Sequence, residues 1–372
     1  MDTEALLQLK VRLLTEGARI PEGEWKGRRG GAGPVGGRYF LLPNGRTCGV
    51  PIRTGKQADL FYSASLEHTK NPKVWLYDGS IELFDIQRPK FYNRKTADGT
   101  PYSSIALLHG ERTLATTVYQ ACRYWTQGSQ CKFCTIPVSY RAGDTVLEKT
   151  PEDVAEVVLA AQSDGYIDDV LLTTGTPDSP DMGTEKLIDT IRAIRKVSNI
   201  PIAVQFEPPV DTVVIKQVAE AGANAVGIHI ESADESIREE MCPGKHEHGS
   251  LDLYRQSWQL ALKYFEKGHV STFILHGLGE DMQKTLNLVE ELSQIGVMPI
   301  VAPVRPSQGS QLADYIPTYV GDLSGSVAFY KRIGTILYDN GLNPKKTAGG
   351  CHKCGGCTPI QEAYDWAAAQ KL

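Results

Sequence analysis

Six of the chain's eight cysteines fall in two tight runs, and their spacing is the first statement about chemistry. The first run is Cys122-Arg-Tyr-Trp-Thr-Gln-Gly-Ser-Gln-Cys131-Lys-Phe-Cys134. It supplies three thiolates, one fewer than a closed site needs, because structural zinc is four-coordinate and simple electron-transfer iron–sulfur clusters take four cysteines. Three protein ligands leave one coordination position for something that is not protein. Two blander chemistries suit the same residues: a zinc ion completed by a distant side chain such as His109, or buried free thiols. The second run, Cys351-His-Lys-Cys354-Gly-Gly-Cys357, is again a three-thiol site, with flanking glycines that let backbone wrap closely around a bound group. A second, auxiliary [4Fe–4S] cluster is expected there, with a zinc knuckle as the alternative. Its fourth ligand would come from Cys48, Cys242, His352, Ser307 or Ser310. Cys48 would tie the N-terminal extension to the tail.

These thiols need a scaffold. At 372 residues the chain can bury a large core, and 41% apolar with 22% charged residues is ordinary for a soluble protein. A net charge of −5 argues against a nucleic-acid surface. No run of about eighteen apolar residues suggests a membrane span, and the acidic first residues lack a signal-peptide core. Clustered cysteines point to metal in a reducing compartment, so a cytoplasmic location is expected. Residues 3–17 have helical periodicity. The Gly-rich stretch 27–37 lacks the ending of a phosphate-binding loop and reads as a surface loop. Short β-like runs at 74–77, 81–84 and 105–108 suggest a small antiparallel sheet.

From residue 113 strands and helices alternate. Strands are expected at 114–120, 169–174, 202–206, 225–230, 270–275 and 298–304, with helices at 151–161, 185–197, 211–221, 251–265 and 282–295. Thr150-Pro-Glu-Asp is an N-cap followed by proline and acids in the first turn. Six βα units imply a parallel sheet curled into part of a barrel, with function at the strands' C-terminal ends. A doubly wound sheet is the alternative. The expected division is 1–112 as an N-terminal extension, 113–305 as an α/β, partial (βα)6 TIM-like barrel, and 306–372 as a helical tail bearing the second cysteine run. The stretch Met241-Cys242-Pro-Gly-Lys245-His-Glu-His248 reads as a helix-ending turn in solvent.

The first cysteine run resembles that of radical S-adenosylmethionine enzymes, whose [4Fe–4S] cluster keeps one open iron; Phe133 before the third cysteine matches the aromatic usual there. The eight-residue first gap departs from the family's Cys-x3-Cys-x2-Cys. A (βα)6 barrel with the cysteine loop after its first strand also resembles that family. The resemblance implies that S-adenosyl-L-methionine is held by segments after the later strands: Thr174 and Gly175 where the family has Gly-Gly-Glu, Glu207 after the third strand, Glu231 and Ser232 near the ribose, and Gly277 and Glu280 near the adenine. Arg305 would pair with the cofactor's carboxylate or with a substrate anion. Catalysis would rest on Cys122, Cys131 and Cys134.

Two clusters and the strand-end segments resemble the biotin synthase and lipoyl synthase branch. That resemblance implies hydrogen abstraction followed by sulfur insertion, on an octanoylated or other aliphatic chain, with ferredoxin or flavodoxin as electron donor. The alternatives are a radical dehydrogenase or carbon-skeleton enzyme whose second cluster moves electrons, and a zinc-stabilised barrel acting as a binding or scaffold protein.

Overall fold

The computed structural model describes residues 1–19, 37–53, 64–65, 67–68, 73–75 and 82–371, so stretch 27–36 lies outside the described residues. Six strands, Thr113–Thr117, Asp169–Thr173, Ile202–Phe206, Ala225–Ile228, Val270–His276 and Val297–Pro303, pair parallel in chain order. We call them strands one to six. Leu107–His109 runs antiparallel along the free edge of strand one and makes the curled sheet seven-stranded. The fold is therefore α/β, a partial TIM-like barrel, and not a doubly wound sheet. Strands one, four and six are buried at every residue, as expected where both faces of a parallel sheet are covered.

The outer layer is helical. Thr184–Val197 buries Leu187, Ile188, Ile191 and Ile194, one stripe at helical spacing, against the sheet. Pro151–Ser163 begins as its sequence dictates, with the Thr150 hydroxyl accepting the Asp153 N–H at 3.1 Å. The barrel interior is narrow-walled at its N-terminal end, where Ala115, Leu171, Ala203 and Ala225 meet and Cys351 packs on them. Three alanines leave room there for a turn of the tail.

The N-terminal part forms a five-stranded antiparallel sheet that includes Gly37–Leu41, Thr47–Pro51, Lys73–Trp75 and Glu82–Asp85. The 105–108 run is not one strand: Tyr102–Ile105 is a helical turn, and pairing starts at Leu107. Helix Thr3–Glu16 lies between that sheet and the tail helix Ile360–Ala369. It stops at Gly17, whose φ of 72° suits glycine and where a Cβ would stand 2.5 Å from the Pro51 carbonyl oxygen. Among the described residues no helix is long and apolar enough to cross a membrane.

The tail is locked to this first helix by an ion pair. Lys10 Nζ lies 2.8 Å from Glu362 Oε2, with the two side chains 0% and 1% exposed. Removing one partner strands the other in a dry interface, a loss of about 3–5 kcal/mol. Glu362→Leu is expected to lower the denaturation midpoint steeply, and adding Lys10→Met should recover most of it. Equal midpoints for the single and double variants would show that no buried charge was left behind.

Candidate active site

The first thiol loop leaves strand one and turns back across the barrel mouth. Its long first gap has a plain structural cause: Arg123–Gln127 forms one extra helical turn, which Gly128 ends at a φ of 74°. The loop is then pinned from both sides. Lys132 N–H donates to the Met241 carbonyl at 2.8 Å, and the Lys132 carbonyl accepts from Leu312 N–H at 3.2 Å. Cys131 joins a small apolar cluster with Met241, Cys242, Leu278, Val304, Leu312 and Tyr319, against which Phe133 and Cys134 pack. Cys122, Cys131 and Cys134 line one cavity of about 180 Å³, together with Thr174, Gly175, Glu207, His229, Glu231 and Lys245. Burial pushes the Cys134 thiol up to about 12 and also raises Cys122; Cys131 is raised by its hydrogen bond with Cys242 and by burial. Such thiols become anions readily only with a cation at hand.

The strand-end residues have distinct fates. Gly175 fits so closely that a Cβ would lie 1.8 Å from the Ala121 carbonyl oxygen. Glu207 accepts the Tyr124 hydroxyl at 2.9 Å. Glu231 has a φ of 71°, unusual outside glycine, and two backbone bonds to strand five hold it there: its N–H donates to Phe273 O at 3.0 Å, and its carbonyl accepts from Leu275 N at 2.7 Å. A left-handed glutamate fixed at a cavity wall is a strained, positioned residue. Its carboxylate meets Lys245 Nζ at 2.6 Å.

Three expected cofactor contacts are spent elsewhere. Glu280 accepts from Gly277 N–H at 2.9 Å and Leu278 N–H at 2.8 Å and lies 2.9 Å from His276 Nδ1, so it braces its own loop. Burial alone would raise its carboxyl, but His276 and the backbone donors hold it low. Gly277 packs under Tyr319, and a Cβ there would stand 2.5 Å from that ring. Ser232 is 1% exposed and accepts Asp234 N–H at 3.1 Å, shaping the turn before helix Glu235–Met241. None of the three lines this cavity or the larger one beside it.

Two site residues escaped sequence reasoning. Residues Pro243–His248 form a helix, not a turn in solvent; it carries Lys245 into the cavity and buries Cys242 beside Cys131. The signal was Pro at the first helical position with basic residues in the last turn. His229 also faces the cavity. Phe273 N–H donates to its Nδ1 at 3.0 Å, which places the proton on Nε2, and Nε2 is buried with no hydrogen-bond partner among the described residues. Burial, with the nearby Lys245 charge, pushes this imidazole down to about 3, so it is a neutral donor. Gly227 gives it room, since a Cβ would come within 2.5 Å of the ring.

The second thiol run lies inside the barrel. Cys351 and Cys357 line a chamber of about 430 Å³ that adjoins the first cavity, shares Phe133, Cys134, Ile136, Thr173, Gln205 and Glu231 with it, and also holds Arg305 and Ser307. Gln205 Nε2 donates to Cys351 Sγ at 3.1 Å. Cys354 faces the opposite way, into a charged cleft of about 240 Å³ with Asp169 and Lys353, and a Cβ on Gly110 would sit 3.0 Å from its sulfur. Burial pushes Cys354 up to about 12 and raises Cys351.

The strand Thr47–Pro51 docks on this turn, Gly49 N–H donating to the Gly356 carbonyl at 2.7 Å. Strand alternation then decides the fate of Cys48. Gly49 faces the thiols, and its neighbour Cys48 points into the apolar layer with Leu13, Phe40 and Val50. Extension and tail are therefore tied through the backbone of Gly49, not through the Cys48 sulfur. Cys242 stands with the first run, and His352 is turned away, its Nε2 3.1 Å from the Gly268 carbonyl. His109 lines the tail-side chamber beside Tyr39, ring centroids 6.1 Å apart, rather than the first triad.

Among the described residues no three Cys, His, Asp or Glu side chains converge tightly enough for a single metal ion. The thiols of the first triad line one cavity, and those of the second are divided between two. A polynuclear cluster takes each thiolate on a different iron, so the spread of the first triad suits a cluster better than zinc.

Residues 127–292 match the model of the radical SAM superfamily. Over 331 residues the chain is 23% identical to the bacteriochlorophyllide c C-7(1)-hydroxylase of Chlorobaculum limnaeum, covering 83% of this chain and 80% of that protein. Among solved structures, methylornithine synthase aligns with a TM-score of 0.47 at 17% identity, covering 62% of this chain and 63% of that one. The FeFe-hydrogenase maturase HydG of Carboxydothermus hydrogenoformans aligns at 0.45 and 17%, covering 61% and 51%. The chain thus spans less than two thirds of either solved protein.

Proposed function

We propose that this chain is a two-cluster radical SAM enzyme that abstracts a substrate hydrogen in the chamber between its thiol triads. One observation carries the reading: Cys134 of the first triad and Cys351 and Cys357 of the second line the same cavity. When bound by Cys122, Cys131 and Cys134, a reduced [4Fe–4S] cluster with S-adenosylmethionine supplies a 5′-deoxyadenosyl radical. The chain's residues do the rest. Gly175 lets backbone approach the cofactor, Glu231 and His229 offer an acceptor and a donor, and Lys245 supplies the first cavity's cation. The apolar walls exclude water that would divert a radical.

The finer reading is sulfur insertion, supported by the second triad facing the substrate space. Hydroxylation or dehydrogenation, with the second cluster only moving electrons, is favoured by the similarity to a protein named as a hydroxylase. Anaerobically reconstituted protein should bind about eight irons, as expected of two four-iron clusters. One reduced-state resonance signal should shift on adding S-adenosylmethionine while a second stays. Only one cluster's worth of iron, or stoichiometric zinc, would sink the proposal.

His229 gives a narrower test. His229→Leu removes the unspent Nε2–H donor and keeps the bulk, so S-adenosylmethionine should bind about tenfold more weakly, the worth of one good hydrogen bond. Calorimetry on the reconstituted protein checks this, and unchanged affinity would assign the donor elsewhere.

A further inference from the structure

We infer that Arg305 is the receptor for a carboxylate of the substrate, so that the molecule processed here joins a carboxylate to a mainly apolar body. This deepens the reading of the chamber as substrate space and rests on it. Phe133, Ile136, Leu171, Phe273, Leu275 and Val304 give the chamber apolar walls. Arg305 lines the same chamber, and its Nη1 and Nη2 are both buried with no hydrogen-bond partner among the described residues. A buried, unpaired charge costs several kcal/mol, so a counter-anion belongs there during function.

Among the described residues lining the chamber, no carboxylate is free to provide one. Glu231 is the one carboxylate among the described residues that line the chamber, and Lys245 already holds it at 2.6 Å. Pro306 confines Arg305 to extended backbone and fixes its aim. Its planar fork matches a carboxylate's two oxygens, whereas a doubly charged phosphate in so apolar a space would call for more than one cation. Arg305 does not line the first triad's cavity, where the cofactor is proposed to bind.

The test uses full-length protein reconstituted with iron and sulfide, titrated anaerobically with octanoate, 3-phenylpropanoate and their primary amides as probes. Wild type should bind the acids about tenfold or more tightly than the amides, the worth of one charge-assisted contact. Arg305→Gln should erase that preference and Arg305→Lys should keep part of it. In Arg305→Gln, iron content and the spectral shift caused by S-adenosylmethionine should match wild type. No acid preference in wild type, or a preference that survives Arg305→Gln, overturns the inference. Loss of the second cluster's iron in that variant overturns it too, by assigning the guanidinium to the cluster; loss of the spectral shift assigns it to the cofactor. Failure of the two-cluster reading would show separately, as missing iron in wild type.

Discussion

Cys131→Ala protein, reconstituted with iron and sulfide, is expected to form no 5′-deoxyadenosine above background. The expectation rests on position as well as residue type. Cys131 is 8% exposed, sits between Cys122 and Cys134 on one cavity, and belongs to the apolar cluster that screens that cavity from water. An alanine there removes one of the three thiols proposed to hold the cluster. Cys242, hydrogen-bonded to Cys131, is the neighbouring thiol placed to substitute, so Cys131→Ala/Cys242→Ala is the stricter variant. The second triad lies at the other end of the adjoining chamber, so either variant should retain about four irons, one cluster's complement. Liquid chromatography of the quenched reaction measures the nucleoside, and iron analysis confirms the retained cluster. Wild-type nucleoside formation in the double variant would remove the first triad from the chemistry.

How much of this was legible in the sequence depended on whether the signal was local. Barrel strands and helices announce themselves through periodicity, caps and terminal glycines, which are properties of neighbouring residues. Ile202–Phe206 and Met282–Ile295 fall where the sequence puts them. The cysteine runs were legible for the same reason. What sequence could not supply was the direction of a side chain across long separations. Glu280 looks like a cofactor ligand until its oxygens are seen bonded to its own loop. Cys48 looks like a fourth ligand until strand alternation turns it into the helix-covered layer. Lys245 was missed because a Pro-Gly pair signals a turn more often than a helix start, and only the fold shows this helix closing over the first triad. The placement of the tail inside the barrel has a faint trace in sequence, the alanines 115, 203 and 225 in three different strands. Alone they are unremarkable; together they make room for Cys351.

The Cys351→Ala/Cys354→Ala/Cys357→Ala variant should lose about half its iron while keeping the first cluster's spectrum and its cleavage of S-adenosylmethionine. Product should disappear, because the residues lost face the space where the substrate radical would form. Cys351 and Cys357 line that chamber, and Gln205 bridges the two triads, lining the first cavity while donating to Cys351. The two finer readings then part on the fate of sulfur. Wild-type protein reconstituted with heavy sulfide, incubated with a small-molecule cell extract and S-adenosylmethionine, should pass label to a metabolite if sulfur is inserted. One turnover would then cost the protein part of its second cluster. Label confined to protein, with iron intact after many turnovers, would rule out insertion and leave electron transfer, as a hydroxylating or dehydrogenating enzyme requires. The two outcomes differ in what they ask of the geometry. An electron can cross several ångströms of packed protein and needs no opening between carrier and substrate, whereas atom transfer requires contact. Two of the three tail thiols are open to the substrate chamber while the third faces the charged cleft on the other side. A site built only to relay electrons has no need of that opening.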